Sequence, residues 1–212
     1  KGDKLHEKHI DPVISEFLKG IKGARVLDAG CGNGYLIPKL APYANSMVGI
    51  DYSKRLLTFA KEQAKPHKNV VLLHANLLKK LPLAADSFDV VIANMVLQYL
   101  PQLNVFVKEV HRVLKKSGVL VSIVDHPGHQ LFLRAQELKG HKNDKFMKSG
   151  SYFQEEMRTK KSLWDKAVLE YFHRPLKNYL NPFTPYFHLD RIEENTEDGE
   201  SPRILGLKWV KI

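Results

Sequence analysis

The amino-acid sequence predicts a doubly wound α/β fold built on a mostly parallel sheet. From Ala24 onward the apolar runs are short, rich in valine, isoleucine and leucine, and separated by segments with helical spacing. Gly, Pro or polar residues bound each run. Short continuous apolar runs of this kind are typical of strands that are buried on both faces of a parallel sheet. We therefore expect five βα steps, followed by an insertion and a final hairpin.

The elements are expected in the following order along the chain. A helix at 11–20, packed on the sheet's edge, comes first, and Gly20 is its stop signal. Strands follow at 25–29, 46–51, 70–74, 88–93 and 118–124, with helices at 35–41, 53–65 and 103–114, the second of them capped by Ser53. We then expect a helix at 130–139, a strand pair at 151–157 and 167–173, a helical turn at 176–180, and closing strands at 186–192 and 204–212.

A chain of 212 residues is expected to form one domain. We divide this domain into a core at 20–126, an inserted cover and substrate region at 127–182, and a C-terminal strand pair at 183–212. The complete sheet should have seven strands, of which the last is antiparallel.

Composition limits the classes of function. Because 33 basic and 23 acidic residues give a net charge of +10, the partner could be nucleic acid, anionic lipid or an acidic small substrate. Few aromatic residues alternate with the basic cluster at 139–161, which favours a solvated surface over a nucleic-acid site. No apolar run reaches the roughly 20 residues that cross a bilayer. The single cysteine, Cys31, predicts a cytoplasmic protein without disulfides, and the ten histidines lack a spacing that predicts a metal.

The first chemical signal is a strand that runs into a glycine loop and then into a helix. Val26-Leu27-Asp28-Ala29 precedes Gly30-Cys31-Gly32-Asn33-Gly34, and Tyr35 follows. Glycines let the backbone turn sharply and approach a ligand, while a helix start offers unpaired amides. A dinucleotide fingerprint would require a third glycine where Tyr35 stands. The loop therefore predicts a nucleotide-like ligand without a pyrophosphate, with a plain turn as the alternative.

The second signal is an acid at the end of the next strand, Val48-Gly49-Ile50-Asp51. A carboxylate at this position can accept two hydrogen bonds from a ribose diol, and each charge-assisted bond contributes about 1.5–3 kcal/mol. The alternative role for Asp51 is a helix cap. The loop and the acid together indicate a nucleotide site more strongly than either does alone.

These segments resemble the motifs of class I S-adenosylmethionine-dependent methyltransferases. Residues 26–34 resemble the first motif of that family, and Gly49-Ile50-Asp51-Tyr52-Ser53 resembles the second. Residues 81–91 resemble the approach to the family's fourth strand, and residues 110–120 resemble the helix, turn and fifth strand of the branch that methylates small metabolites. The resemblance covers about 24–124. It implies a Rossmann-like methyltransferase fold, S-adenosylmethionine as cofactor, S-adenosylhomocysteine as product and a small-molecule acceptor.

The resemblance also implies roles for individual residues. Asp28 and the backbone of Gly30, Cys31, Gly32, Asn33 and Gly34 would hold the methionine portion, Asp51 the ribose, and Tyr52 would lie against the adenine. Asn76 stands where the family usually has an aspartate, and its amide, with Leu77 beside it, would read the adenine edge. The Asn94 backbone would face the methionine ammonium, and Leu97 and Gln98 would line the pocket.

Two histidines are the candidate catalytic residues. Methyl transfer from a sulfonium mainly requires that the nucleophile be held about 3 to 3.5 Å away and in line, so a base is optional. His126 follows the fifth strand, where open α/β folds bind ligands, and it could remove a proton; the alternative is a loop histidine bonded to backbone. His173 could face the substrate or anchor the cover, and Tyr99 and Tyr152 could form aromatic walls.

Other classes of function stay open from the sequence. A nicotinamide-dependent oxidoreductase would share the strand ends and the ribose-binding acid, but Tyr35 argues against it. A non-catalytic methyltransferase-like binding module, or an RNA-directed methyltransferase, would use the basic surface. The intact glycine loop and Asp51 favour a catalytic chain, whose acceptor atom and oligomeric state the sequence does not predict.

Overall fold

Helices and strands alternate through the first half of the chain. The structure, a computed structural model, describes residues 6–19, 21–129, 152–161, 168–196 and 202–212. After a π-helical turn at His6–Ile10, the helices are α1 (Asp11–Phe17), α2 (Ile37–Leu40), α3 (Lys54–Ala64), α4 (Leu103–Val113) and α5 (Leu176–Leu180). The strands are β1 (Arg25–Ala29), β2 (Ser46–Asp51), β3 (Val70–His74), β4 (Phe88–Asn94), β5 (Leu114–Asp125), β6 (Glu156–Lys161), β7 (Val168–His173), β8 (Phe187–Thr196) and β9 (Pro202–Lys211). A 3₁₀ turn at Leu97–Tyr99 separates β4 from α4.

Seven of these strands form one sheet in the order β3-β2-β1-β4-β5-β9-β8. Strands β1 to β5 pair in parallel, whereas β9 is antiparallel to both β5 and β8. This confirms the predicted seven-stranded, mostly parallel sheet with an antiparallel last strand. The strand order reverses direction between β1 and β4, and open α/β sheets bind their ligands at the carboxyl ends of the strands beside such a reversal.

Both faces of the sheet are covered. Leu27 and Val91 pack in one hydrophobic cluster, to which α4 and α5 contribute. Their neighbours Val26 and Ile92 pack in a second cluster with residues of α1, α2 and α3. Because successive strand residues point to opposite faces, the two clusters are the two faces of a doubly wound fold.

Helix α1 packs on β9, and its Glu16 also pairs with Arg191 of the edge strand β8 at 2.8 Å. A Cβ atom added to Gly206 on β9 would lie 2.5 Å from Val13 Cγ1 and 3.1 Å from Phe17 Cε2. Strand β8 lies outside β9 in the sheet. The absence of a side chain at Gly206 therefore lets the helix approach a strand one position inside the edge.

Several predicted elements differ in extent. The helix predicted at 35–41 is only Ile37–Leu40, because Gly34 still has a positive φ of 83° and Pro38 stands in the first turn of α2. Residues 75–87, all of which are described, connect β3 to β4 without a helix. The prediction of a βα step between these two strands was therefore wrong. Strand β5 begins at Leu114 instead of 118, because Leu114 already pairs with Phe88. The Ser53 cap is confirmed, since its hydroxyl oxygen accepts a hydrogen bond from Leu56 N at 3.2 Å.

The region after β5 contains a separate antiparallel strand pair, β6 and β7. Its first strand begins at Glu156, later than the predicted 151–157, while β7 agrees with the predicted 167–173 within one residue. The helix predicted at 130–139 lies outside the described residues. None of the described helices is both long enough and apolar enough to cross a bilayer.

Candidate active site

The glycine loop closes over the carboxyl ends of β1 and β2. Gly30, Gly32 and Gly34 have φ angles of 88°, 55° and 83°, a region that residues with a Cβ atom rarely adopt. Gly30 N and Cys31 N both donate to Ile50 O, at 2.8 and 2.9 Å. The loop is therefore held against the end of β2 by its own backbone.

The remaining loop residues have different surroundings. Cys31 is buried, and a Cβ atom on Gly49 would lie 3.1 Å from its Sγ. Burial raises the pKa of the Cys31 thiol well above its usual range. Asn33 is exposed, whereas Gly34 lies against Ala60 of α3. The loop was predicted to act through its backbone. Its side chains differ in exposure, since Cys31 is buried and Asn33 faces solvent.

Two glycines of the loop offer a matched test of its shape. A Cβ atom on Gly30 would lie 2.5 Å from Val96 Cγ2, while Gly32 has nothing within 4 Å of that position. We expect Gly30→Ala to lower the free energy of unfolding by about 2 kcal/mol, through strain and steric overlap. Gly32→Ala should cost only about 1 kcal/mol, the penalty of a positive φ. Urea unfolding of both variants measures the difference, and equal losses would contradict the close approach of Val96 to Gly30.

Asp51 joins the glycine loop to the start of α3. Its Oδ2 accepts a hydrogen bond from Gly32 N at 2.8 Å, and its Oδ1 accepts one from Ser53 N at 2.7 Å. The capping bond to the first turn of α3 comes from Ser53, not from Asp51. A carboxylate has about four lone-pair sites, so Asp51 keeps the capacity to accept two further bonds from a diol.

Asp28 is a buried acid at the end of β1. It is 1% exposed, and its Oδ2 has no hydrogen-bond partner among the described residues. Burial, and secondly the nearby charge of Asp51, raise the pKa of the Asp28 carboxyl to about 7. A buried carboxylate oxygen without a partner is costly, and a ligand cation at this position would remove that cost. The Asp28 carboxylate, a hydrogen-bond acceptor, therefore fits a cofactor that carries an ammonium group.

The residues predicted to surround an adenine lie at the ends of β2 and β3. Tyr52 is 71% exposed, and its ring stacks on His74 with centroids 6.0 Å apart. His74 Nε2 also lies 2.8 Å from Tyr52 O. Asn76 Oδ1 already accepts a hydrogen bond from Leu78 N at 2.8 Å, while Leu77 is buried. Tyr52 thus offers an accessible aromatic surface, whereas the oxygen of the Asn76 amide already accepts a hydrogen bond within its own turn.

The backbone leaves β4 through an unusual conformation. Met95 has a φ of 54°, and its N donates to Ile123 O at 2.8 Å. Asn94 Oδ1 is buried without a hydrogen-bond partner among the described residues. Leu97 is buried, and Tyr99 is partly exposed on the same 3₁₀ turn. Since Val96 contacts the glycine loop, the turn after β4 borders the candidate cofactor site.

His126 is already engaged through both ring nitrogens. Nδ1 accepts a hydrogen bond from Gly128 N at 3.1 Å, and Nε2 lies 2.8 Å from Glu194 Oε1. Desolvation outweighs the effect of Glu194 and lowers the pKa of His126. In this arrangement His126 would need to release Gly128 before it could accept a substrate proton. Glu194, on β8, is a partner that the sequence analysis missed, because residues so distant in sequence show no local signal.

His173 and Tyr152 contact each other. His173 Nε2 lies 3.0 Å from Tyr152 O, and the rings meet edge to face with centroids 6.0 Å apart. Tyr152 Oη accepts a hydrogen bond from Leu176 N at 3.0 Å. Desolvation lowers the pKa of His173. The Tyr152 side chain thus holds the segment before β6 to α5, and His173 contacts Tyr152, which is the anchoring alternative for His173.

Arg174 is a buried residue beside the candidate site to which the sequence analysis gave no role. It is 2% exposed, and it donates to Leu97 O, Leu100 O and Pro101 O at 3.2, 2.5 and 3.1 Å. Its Nε lies 2.5 Å from Glu155 Oε1. A single arginine between an aromatic strand and a proline is the sequence signal that could have identified it. Arg174 attaches the strand-pair region to the turn after β4.

Among the described residues, no group of three or more His, Cys, Asp and Glu side chains could hold a metal ion.

Comparison with known sequences agrees with this geometry. Residues 27–122 match the family model of the methyltransferase domain. The demethylmenaquinone methyltransferase of Staphylococcus aureus strain JH9 is 34% identical over 105 residues, which are 48% of this chain and 43% of that protein. The chain thus spans less than half the length of the curated relatives it matches.

Solved structures share the complete fold. A Listeria monocytogenes protein described as an S-adenosylmethionine-dependent methyltransferase aligns with a TM-score of 0.79 and 24% identity over 96% of both chains. The N-methyltransferase NodS of Bradyrhizobium japonicum WM9, solved with S-adenosylhomocysteine, aligns with a TM-score of 0.69 and 15% identity over all of this chain and 89% of that one. At these identities the likeness shows the fold alone. The domain match over residues 27–122, the strand order and the motifs together agree with the resemblance of this chain to the class I S-adenosylmethionine-dependent methyltransferases.

Proposed function

We propose that the chain transfers the methyl group of S-adenosylmethionine to a small-molecule acceptor. The observation that carries the proposal is the pair of carboxylates at neighbouring strand ends, with the glycine loop between them. Asp28 is buried with an unpartnered oxygen, and Asp51 is fixed by Gly32 N and Ser53 N. This combination suits one ligand with a cationic end and a diol, which S-adenosylmethionine provides.

Each residue would have a definite part in holding the cofactor. Asp28 would face the ammonium of the methionine portion together with the Asn94 backbone, and the backbone of Gly30–Gly34 would lie along that portion. Asp51 would accept hydrogen bonds from the ribose hydroxyls. Tyr52, Asn76 and Leu77 would contact the adenine. When bound, S-adenosylmethionine supplies a methyl group on a sulfonium, which is a good leaving group.

The acceptor side of the site would be formed by the turn after β4 and the strand-pair region. Arg174 joins these two parts through Leu97 O, Leu100 O and Pro101 O. The main task of this region would be to exclude water and to hold the acceptor atom in line with the methyl group. Leu97, Tyr99 and Tyr152 would contribute to its walls. This is the role that we propose for the cover at 127–182.

Proton removal from the acceptor is a further part of the proposal. His126 lies at the end of β5, but its Nδ1 lone pair is occupied by Gly128 N. His173 has Nε2 on the carbonyl of Tyr152. A base at either position would therefore act only after a local rearrangement. An acceptor that reacts without a base is compatible with both contacts.

A small molecule is favoured over a nucleic acid as the acceptor. A relative that is 34% identical over 105 residues is named demethylmenaquinone methyltransferase, and by that name it acts on a small molecule. The net charge of +10 also suits an anionic partner, so RNA binding with a steep salt dependence would shift the proposal to an RNA-directed enzyme. A cytoplasmic location stays a prediction.

Calorimetric titration with S-adenosylmethionine, S-adenosylhomocysteine and NADH tests the proposed function. We expect saturable binding of the first two and none of NADH. Tyr35, whose hydroxyl donates to Asp11 Oδ2 at 2.9 Å, occupies the position that a dinucleotide site requires to be glycine. Binding of NADH alone would replace the proposal with an oxidoreductase. Failure of all three ligands to bind would favour a non-catalytic module.

A further inference from the structure

Gln98 is a buried side chain whose hydrogen-bonding groups are unused. It is 2% exposed, and neither its Nε2 nor its Oε1 has a hydrogen-bond partner among the described residues. Burying an amide without partners costs about 1–3 kcal/mol. Buried polar groups in proteins are nearly always satisfied by protein, water or ligand. The two free ends of Gln98 therefore indicate a partner that is not part of the described chain.

The residues on both sides of Gln98 locate this amide relative to the cofactor site. Val96 contacts the glycine loop, since a Cβ atom on Gly30 would lie 2.5 Å from its Cγ2. Leu97 O and Leu100 O accept hydrogen bonds from Arg174. Gln98 thus lies on a turn that is attached on one side to the cofactor loop and on the other to the strand-pair region. An acceptor must be held between these same two parts.

Arg174 fixes the turn without itself being available to a ligand. Its Nη2 donates to two carbonyls, its Nη1 donates to Leu97 O, and its Nε pairs with Glu155. A guanidinium has five N–H groups in a planar fork, so these contacts account for most of its donors. The hydrogen-bonding capacity left at the turn belongs to Gln98, which is neutral.

We propose that the Gln98 side chain recognises the methyl acceptor through a paired donor and acceptor. A primary amide presents an N–H and a C=O side by side, so its complement is another donor and acceptor at neighbouring atoms. Suitable groups are a carboxamide, a neutral carboxylic acid, or a hydroxyl next to a carbonyl.

Leu97 and Leu100, which flank Gln98, belong to the main hydrophobic cluster. These two side chains are satisfied within the core, so the polar contact that this turn can offer a ligand comes from the Gln98 amide. The substrate class is a small compound with one such polar edge, because Gln98 is itself 2% exposed. This inference rests on the proposed methyltransferase function.

Benzamide and acetophenone are matched probes for this site, because they have the same shape and only benzamide has the N–H donor. Titration of the chain saturated with S-adenosylhomocysteine should show benzamide binding at least about tenfold more tightly than acetophenone, since acetophenone leaves the Gln98 oxygen unpaired. In Gln98→Leu the preference should disappear or invert, while affinity for S-adenosylhomocysteine stays unchanged. Gln63→Leu, at an exposed position on α3, is the control and should keep the wild-type preference.

A second measurement does not depend on the variant's ligand binding. Removal of an unsatisfied buried amide should raise the melting temperature of the free Gln98→Leu chain by about 2–12 °C. In ¹⁵N-labelled wild type, benzamide should shift the side-chain amide resonances that are missing from Gln98→Leu, and the Gln63 resonances should stay fixed.

The outcomes separate this inference from the function on which it rests. If S-adenosylhomocysteine does not bind to the wild-type chain, the proposed methyltransferase function is wrong. If S-adenosylhomocysteine binds but wild type fails to distinguish benzamide from acetophenone, or binds neither, the role of Gln98 is wrong. A lower melting temperature for Gln98→Leu, with unshifted amide resonances, would assign the amide to a structural partner and also overturn the inference.

Discussion

Asp51→Ala is expected to weaken binding of S-adenosylhomocysteine by about 3–6 kcal/mol, two to four orders of magnitude in affinity. The variant loses two charge-assisted hydrogen bonds to the ribose diol, and each contributes about 1.5–3 kcal/mol. It also loses the acceptors of Gly32 N and Ser53 N, at 2.8 and 2.7 Å. The glycine loop therefore loses its side-chain link to the start of α3.

The fold should survive this substitution. Asp51 is the last residue of β2, and the preceding residues of β2 keep their pairing with β1 and β3. We expect a loss of about 1–2 kcal/mol in the free energy of unfolding, because the freed amides lie where water can reach them. Asp51→Asn retains one acceptor oxygen and should have an intermediate affinity.

Calorimetry of the parent and the variants measures both effects. Asp190→Ala, which removes an acid that pairs with Lys208 at 3.0 Å on the edge strand β8, is the control. It should bind S-adenosylhomocysteine as the parent does. If Asp51→Ala binds S-adenosylhomocysteine as tightly as the parent chain does, the assignment of Asp51 to the ribose is wrong.

The first three strands and the glycine loop were predictable from the sequence because their signals are local. Strands β1, β2 and β3 have the predicted bounds, since each is a short apolar run bounded by polar residues. The glycine loop follows from glycines that need positive φ angles. Ser53 could be identified as a cap because an N-cap uses residues within one helical turn.

The region around the strand pair and His126 depends on contacts between residues that are distant in the sequence. Arg174 reaches carbonyls of 97–101, and His126 pairs with Glu194 on β8. No periodicity or spacing encodes such pairs, so the sequence could suggest His126 as a base but not its partner. The same holds for Gln98, whose lack of partners is visible only when its neighbours are known.

Binding of S-adenosylmethionine is expected to depend on pH through Asp28. Burial, with a second contribution from Asp51, raises the pKa of Asp28 from 3.8 to about 7. The ligand ammonium favours the ionised carboxylate, so binding below pH 7 must release a proton. Affinity should rise with pH up to about 7 and then level off. Two units below this pKa, at pH 5, it should be about a hundredfold weaker than on the plateau.

The stability of the free chain should show the opposite trend. A carboxyl whose pKa is raised in the folded state contributes stability that is fully present below its unfolded value, near 4, and lost as the pH rises through 7. Asp28→Asn removes this loss. We expect the free variant to be more stable than the parent by about 2–4 kcal/mol at pH 8, since three pKa units correspond to about 4 kcal/mol. The same variant should bind S-adenosylmethionine more weakly and without the slope between pH 5 and 7.

This combination separates a ligand-binding acid from a structural one. A buried acid that stabilises the fold would lower stability when it is replaced, and its replacement would not change the pH dependence of ligand affinity. Titrations at pH 6 in two buffers with different ionisation enthalpies should detect close to one proton released per cofactor bound. Asp190→Asn, on the edge strand, should keep the parental slope and stability. If affinity does not change with pH, or if Asp28→Asn destabilises the free chain at pH 8, Asp28 does not face the cofactor's ammonium group.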